Sequence, residues 1–228
     1  MSIAERPRDF VGVRGPDAED FLQRMLSNDV TTAPCDALLL TPKGRIIAPL
    51  RVLRRGEADF LLLTEPGLGE TVRETLRRAR FAAKCEIEPE RHTSVLVWDG
   101  DFSEAAERVD EGLEPTASEE ELERARIEAG VPAWGKELDE NILPAEAGLD
   151  RTHISFSKGC YPGQEPVARL HYRGHANRGL RVLREDARPG AEIRYDGKVV
   201  GRITSAVSGV ALAYVRANVP EDAELSFG

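Results

Sequence analysis

Cysteine, tryptophan and methionine are scarce in this 228-residue chain, at three, two and two copies. The cysteines, Cys35, Cys85 and Cys160, are odd in number and widely scattered, which makes a poor disulfide framework. No C-x-x-C pair or Cys/His cluster offers metal-ligand spacing, so a zinc or iron–sulfur centre built by this chain alone is not expected. Long apolar runs are missing too. The longest, around Leu38–Leu40 and Phe60–Leu63, are strand-sized, against the ~18 residues of a membrane-spanning helix. The opening MSIAERPRDF lacks the apolar stretch of a secretory signal. A cytoplasmic protein with no membrane partner is expected. Excess positive charge is absent as well: 31 Lys+Arg face 40 Asp+Glu, a net −9, which argues against direct nucleic-acid binding. With 41% hydrophobic residues the chain is nonetheless too apolar to be disordered.

Charge is unevenly placed. Residues 101–128 hold eleven Asp/Glu against three Arg, as solvated helix faces do. Residues 169–184 hold five Arg and no acid, with His171 and His175 among them. Such a stretch suits either an anionic group or an exposed hairpin face.

Pro16-Asp17 opens an expected helix to about Ser27, with Phe21, Leu22, Met25 and Leu26 in one stripe. Leu38–Thr41 and Arg45–Leu53 read as strands around Pro42-Lys43-Gly44, and Asp59–Thr64 as a third. Helical spacing of Leu68, Val72, Leu76 and Ala79 predicts a helix over 68–80. Strands are expected at Lys84–Glu88 and Thr93–Trp98, then a helix near 103–110. Ser118 with Glu121 forms a capping box for a helix ending at Ala129-Gly130. Residues 130–165 are irregular but carry the apolar anchors Trp134, Ile142, Leu143, Leu149 and Ile154, favouring an ordered, functional loop region. Beyond it, Leu180–Leu183, Glu192–Tyr195, Val199–Ala206 and Val210–Val215 read as strands. Asp196-Gly197 marks a hairpin turn whose central residues need positive φ. The expected class is α+β: a mixed domain over 1–174, then a small, partly closed C-terminal β-barrel module over 175–228.

The segment with most chemistry is Ile154-Ser155-Phe156-Ser157-Lys158-Gly159-Cys160-Tyr161-Pro162-Gly163-Gln164-Glu165. It reads as a strand end entering a two-glycine turn, followed by a helix from about Pro162. A cysteine near a helix N-terminus and two residues from a lysine sits in positive potential, which favours thiolate, so Cys160 is the candidate reactive cysteine. Gln164 and Glu165 offer directional hydrogen bonds to a planar heterocycle. An ordinary turn holding a structural thiol is the competing reading.

Lys158-Gly159-Cys160-Tyr161-x-Gly163-Gln164-Glu165 closely resembles the signature of the YgfZ family, folate-binding proteins implicated in iron–sulfur cluster maturation and related to the glycine-cleavage aminomethyltransferase. Val167-Ala168-Arg169 and Tyr172-Arg173-Gly174 fit the same pattern. Ser27-Asn28-Asp29-Val30, Arg126-Ile127-Glu128-Ala129-Gly130-Val131-Pro132 and Glu137-Leu138 are similar to landmarks of the superfamily's folate domain, and Gly201-Arg202-Ile203-Thr204-Ser205 to one in its C-terminal barrel.

The resemblance implies an aminomethyltransferase-like folate-binding domain with tetrahydrofolate in a central hole. It places Glu128 against the pterin ring, where a carboxylate accepts two parallel N–H bonds. Asn28, Tyr161, Gln164 and Glu165 would help line the cavity, Arg169 and Arg173 would meet the glutamate tail, and Cys160 with Lys158 would stand near the reactive end. Iron–sulfur client proteins or assembly factors are the implied partners. Where the transferases carry catalytic aspartates, this chain has Ala48 and Pro49, neither of which exchanges a proton. That departure speaks against the alternative of a folate-dependent one-carbon transferase. A third reading is a regulator of tRNA modification acting through iron–sulfur enzymes.

Overall fold

The computed structural model describes residues 1–228. In chain order the elements are β1 (Ser2–Glu5), β2 (Asp9–Arg14), α1 (Ala18–Met25), β3 (Cys35–Leu40), β4 (Ile46–Gly56), β5 (Asp59–Thr64), α2 (Gly69–Ala79), β6 (Glu86–Glu90), β7 (Ser94–Asp99) and β8 (Asp101–Val109). There follow α3 (Glu119–Glu128), α4 (Gln164–Arg173), β9 (Arg178–Leu183), β10 (Glu192–Tyr195), β11 (Lys198–Val207), β12 (Val210–Arg216) and β13 (Ser226–Phe227). The fold is α+β, built on three antiparallel sheets.

The largest core belongs to the sheet ordered β3-β4-β5-β2-β6. One face sends Val11, Val13, Leu39, Val52, Phe60 and Leu62 against the apolar stripes of α1 (Phe21, Leu22) and α2 (Val72, Leu76). Because side chains alternate along a strand, Leu38 and Leu40 point the other way, and the irregular register opposite Leu39 and Leu40 turns Ile46 to the same side. They pack under Leu138, Ile142, Leu149, Ile154, Tyr161 and Val167. The irregular stretch is therefore pressed onto the second face of the sheet, and its apolar anchors are what hold it there.

Two parts of the sequence reading need correction. The helix expected near 103–110 is instead the strand β8, Asp101–Val109, which folds back on β7 around Gly100 (φ +78°), pairing Val95 with Arg108 and Val97 with Ala106. Phe102 meets Trp98 edge-on at 5.3 Å, both buried. Pairing and that aromatic contact outweigh the helical preference of an Ala/Glu-rich segment. The N-terminal strands also gave no clear local signal. β1 is recruited by β7, and β2 is wedged between β5 and β6.

The third sheet, β13-β10-β11-β12-β9, contains only residues from Arg178 onward. Asp196 (φ +49°) and Gly197 (φ +73°) make the tight turn that their dipeptide demands. Ile193, Ile203, Ala213 and Val215 fill its interior. The ladder stays open between β13 and β9, so the barrel is only partly closed. On its outer side Val210 and Leu212 pack on Ile127 of α3, while Tyr214 joins the core beneath the irregular stretch.

Candidate functional site

The Lys158–Glu165 loop is fixed at both ends by packing. Tyr161 is buried among Leu38, Ile46 and Ile154; its hydroxyl has no hydrogen-bond partner, and burial pushes it up to about 12. Gly163 (φ +83°) lies so close to the β3–β4 turn that a Cβ there would stand 2.5 Å from the Thr41 carbonyl oxygen. Only glycine permits both the left-handed backbone and that approach. Immediately before these anchors Cys160 is exposed to solvent.

Lys158 turns inward instead. Its Nζ donates to the carbonyls of Leu26 (2.7 Å) and Asn28 (2.9 Å) and stands 5.5 Å from the Tyr161 ring centre. Burial lowers its ammonium to about 8. Asn28 is itself a buckle: its side-chain amide donates to the carbonyls of Asp36 (2.7 Å) and Thr152 (3.1 Å). Ser27 bonds the carbonyl of His153 (2.6 Å) and receives the Leu38 amide (2.8 Å). The Ser27-Asn28 landmark therefore ties α1, β3 and the 152–155 segment together.

Asp36, Thr152 and His153 also line a cavity of about 570 Å³, whose wall includes Pro49 and Leu50 of β4, Glu65, Val131 and Leu180. Arg6 and Arg8, both in the β1–β2 link, share Glu65 at 2.6 and 2.5 Å, and Arg8 adds Glu107 at 2.8 Å. Burial and the neighbouring Arg8 lower the Arg6 guanidinium, whose Nε is buried without a partner. Burial likewise lowers the His153 imidazole, which favours the neutral ring at the wall. Pro49 places an apolar ring in the wall where an acid was absent from the sequence.

The residues singled out by resemblance are not gathered around this hole. Glu128, which the resemblance sets against the pterin ring, stands in solvent beside Arg124 at 3.4 Å and is outside the wall. The cause is the rotation of α3, which turns Arg126 and Ile127 inward. Buried Arg126 bonds Glu137 (2.8 Å), Ser205 (2.9 Å) and the Val131 carbonyl (2.7 Å), and Ser205 donates to Glu137 at 2.6 Å. Three separate landmarks thus meet in one buried clasp joining α3, the irregular stretch and β11.

Cys160, Lys158, Tyr161 and Gln164 also lie outside the wall, with Lys158 linked to it through Asn28. Glu165, Arg169 and Arg173 line a different cleft of about 660 Å³ between α4, the β3–β4 turn and the Leu143–Ala145 segment. Ala145 is shared by both cavities. Arg6, Arg8, Asp36 and Glu65 escaped the sequence reading because each is an isolated charge in or beside a strand, with no motif around it. Nor does any helix reach the length and apolarity needed to cross a membrane.

No family model matches the chain. An uncharacterized protein of Haemophilus influenzae is 29% identical over 250 residues, covering 96% of this chain and 89% of that protein. The tRNA-modifying protein YgfZ of Edwardsiella ictaluri is 26% identical, covering 94% of this chain and 84% of the relative. Among solved structures, glycine cleavage system aminomethyltransferase T from Bartonella henselae superposes with a TM-score of 0.81 at 18% identity, covering 99% of this chain and 81% of that one. The chain is thus similar in sequence to several YgfZ proteins and carries the aminomethyltransferase fold from end to end.

Proposed function

We propose that the chain binds a tetrahydrofolate in the 570 Å³ hole and supports iron–sulfur cluster assembly or repair through the exposed Cys160 thiol. The observation that carries the reading is the hole itself, set in an aminomethyltransferase fold and one residue layer from the Lys158–Glu165 loop. Its size suits a small-molecule site. Its lining fits a planar, hydrogen-bonding heterocycle: Pro49, Leu50 and Leu180 offer apolar contact, Asp36 an acceptor, and His153 a neutral ring. A bound folate would supply a one-carbon carrier. The chain's own residues bind and orient it, and Lys158 holds Asn28 and hence the Asp36–Thr152 side of the wall.

Calorimetric titration with tetrahydrofolate tests the reading. Saturable binding is expected, weakened roughly tenfold to a hundredfold by Asp36→Ala, because truncating a charged hydrogen-bond partner costs about 1.5–3 kcal/mol. Glu128→Ala is expected to bind like the parent, since its carboxylate is in solvent. Absence of saturable binding by the unmodified protein overturns the proposal.

The thiol is tested separately. Cys160→Ala is expected to fold and bind folate normally yet fail to restore iron–sulfur enzyme activity in a strain lacking this protein. Complete rescue removes the sulfur from the function. Any effect on tRNA modification would follow indirectly, through iron–sulfur enzymes that act on tRNA. The wall's Pro49, unable to exchange a proton, weighs against aminomethyl transfer.

A further inference from the structure

The 660 Å³ cleft beside α4 is a second site, and nothing in the folate reading requires it. In a chain of net charge −9 its cations are largely unspent. Lys43, on the β3–β4 turn, and Arg173, in the last turn of α4, make no salt bridge; Arg169 has only Glu165 at 3.8 Å, both well exposed. Other charges in the cleft are engaged. Arg45 bonds the Asn141 carbonyl, while His171 lies 3.7 Å from Asp150 and stacks on Phe156 at 3.8 Å. Between the two cationic banks lies an apolar floor of Leu143, Pro144, Val167 and Leu170.

We propose that this cleft docks an extended acidic segment of a partner protein, with acidic residues at alternate positions. The spacing of the cations carries the choice. Arg169 and Arg173 are one turn apart on the same helix face, about 6 Å along the axis at 1.5 Å per residue. In an extended chain, side chains two residues apart project to the same side and are separated by about 6.6 Å. Two carboxylates of an acid-x-acid strand therefore match the two guanidiniums. The intervening side chains project to the other side of the strand, and Lys43, on the β3–β4 turn, supplies a third cation to the cleft. A partner held here lies along the helix that follows Cys160, at the loop's open side.

Fluorescence anisotropy with a labelled hexapeptide of alternating glutamate and leucine, at low ionic strength, tests the site. Saturable binding is expected, weakened at least about tenfold by Arg169→Glu with Arg173→Glu and weakened by added salt. Arg188→Glu, outside the cleft, should bind like the parent, and circular dichroism should show both variants folded. The proposal is overturned by equal binding to the double variant, by equal binding of a lysine–leucine peptide, or by tighter binding of a short single-stranded RNA. Self-association of the protein that vanishes in the double variant would assign the cleft to a second copy, and would equally overturn it. Tetrahydrofolate titrated into the same variants reports separately on the hole, so either reading can fail alone.

Discussion

Single side chains around the Lys158–Glu165 loop show how little of a motif's residue choice is chemical. Gly163 is demanded by the Thr41 carbonyl, Tyr161 by the core, and Lys158 by two backbone carbonyls left free near the end of α1. Only Cys160 has an exposed reactive atom and no structural contact to account for it. Tyr161 carries a cost, because a buried hydroxyl without a partner forfeits its hydration, about 1–3 kcal/mol. Tyr161→Phe keeps the ring and removes the unpaired atom, so the urea midpoint of unfolding should rise. A fall would mean that the hydroxyl has a partner in solution.

At the scale of elements, the two sheets that precede β9 are latched by one histidine. His92 follows β6, places Nε2 2.8 Å from Glu90 and Nδ1 2.5 Å from Asp110, and meets the Phe10 ring edge-on at 5.2 Å. Burial alone would lower this imidazole. Its hydrogen bonds to Glu90 and Asp110 outweigh that, and the result is raised. Because the native pKa lies above the unfolded value of about 6.5, the latch contributes fully below that pH and is lost as pH rises through the native pKa. Urea unfolding of the parent and His92→Gln across this range should show a stability gap that closes toward alkaline pH. A gap independent of pH would remove the charge from the latch.

This latch was hidden in the sequence for the same reason that β8 was misread. Strand pairing between 94–99 and 101–109 is a tertiary choice, and the Ala/Glu-rich stretch carries helical propensity of its own. By contrast, α1, α2, α3 and β3–β5 were legible, because each has a local cap, turn or apolar period that agrees with its final place. The candidate site divides the same way. The cysteine loop could be read from residues in sequence, whereas the hole is assembled from Arg6, Asp36, Pro49, Glu65, His153 and Leu180, which only folding brings together.

For the whole molecule, the deciding feature is the buried clasp of Arg126, Glu137 and Ser205, which fastens the C-terminal sheet to the rest. Glu137 is 1% exposed and Arg126 6%. Removing Glu137 leaves Arg126 paired with Glu123 alone (2.7 Å), and losing a hydrogen bond to a charged group costs about 1.5–3 kcal/mol, so Glu137→Ala should destabilise the protein by that much in guanidinium unfolding. Replacing all three by apolar residues of similar size should recover most of that loss. If Glu137→Ala costs less than about 1 kcal/mol, the clasp is not what holds the sheets together.

The sequence by itself determined the elements with strong local periods, the tight Asp196-Gly197 turn and the cysteine on its glycine bend, since these depend on neighbours along the chain. Tertiary structure alone decided where the motif residues face. Glu128 went to solvent because Arg126 and Ile127 claimed the buried side of α3, and Arg169 and Arg173 went to a separate cleft because Val167 anchors α4 in the core. A helix has one buried face, and which residues take it is settled by the partners that packing supplies.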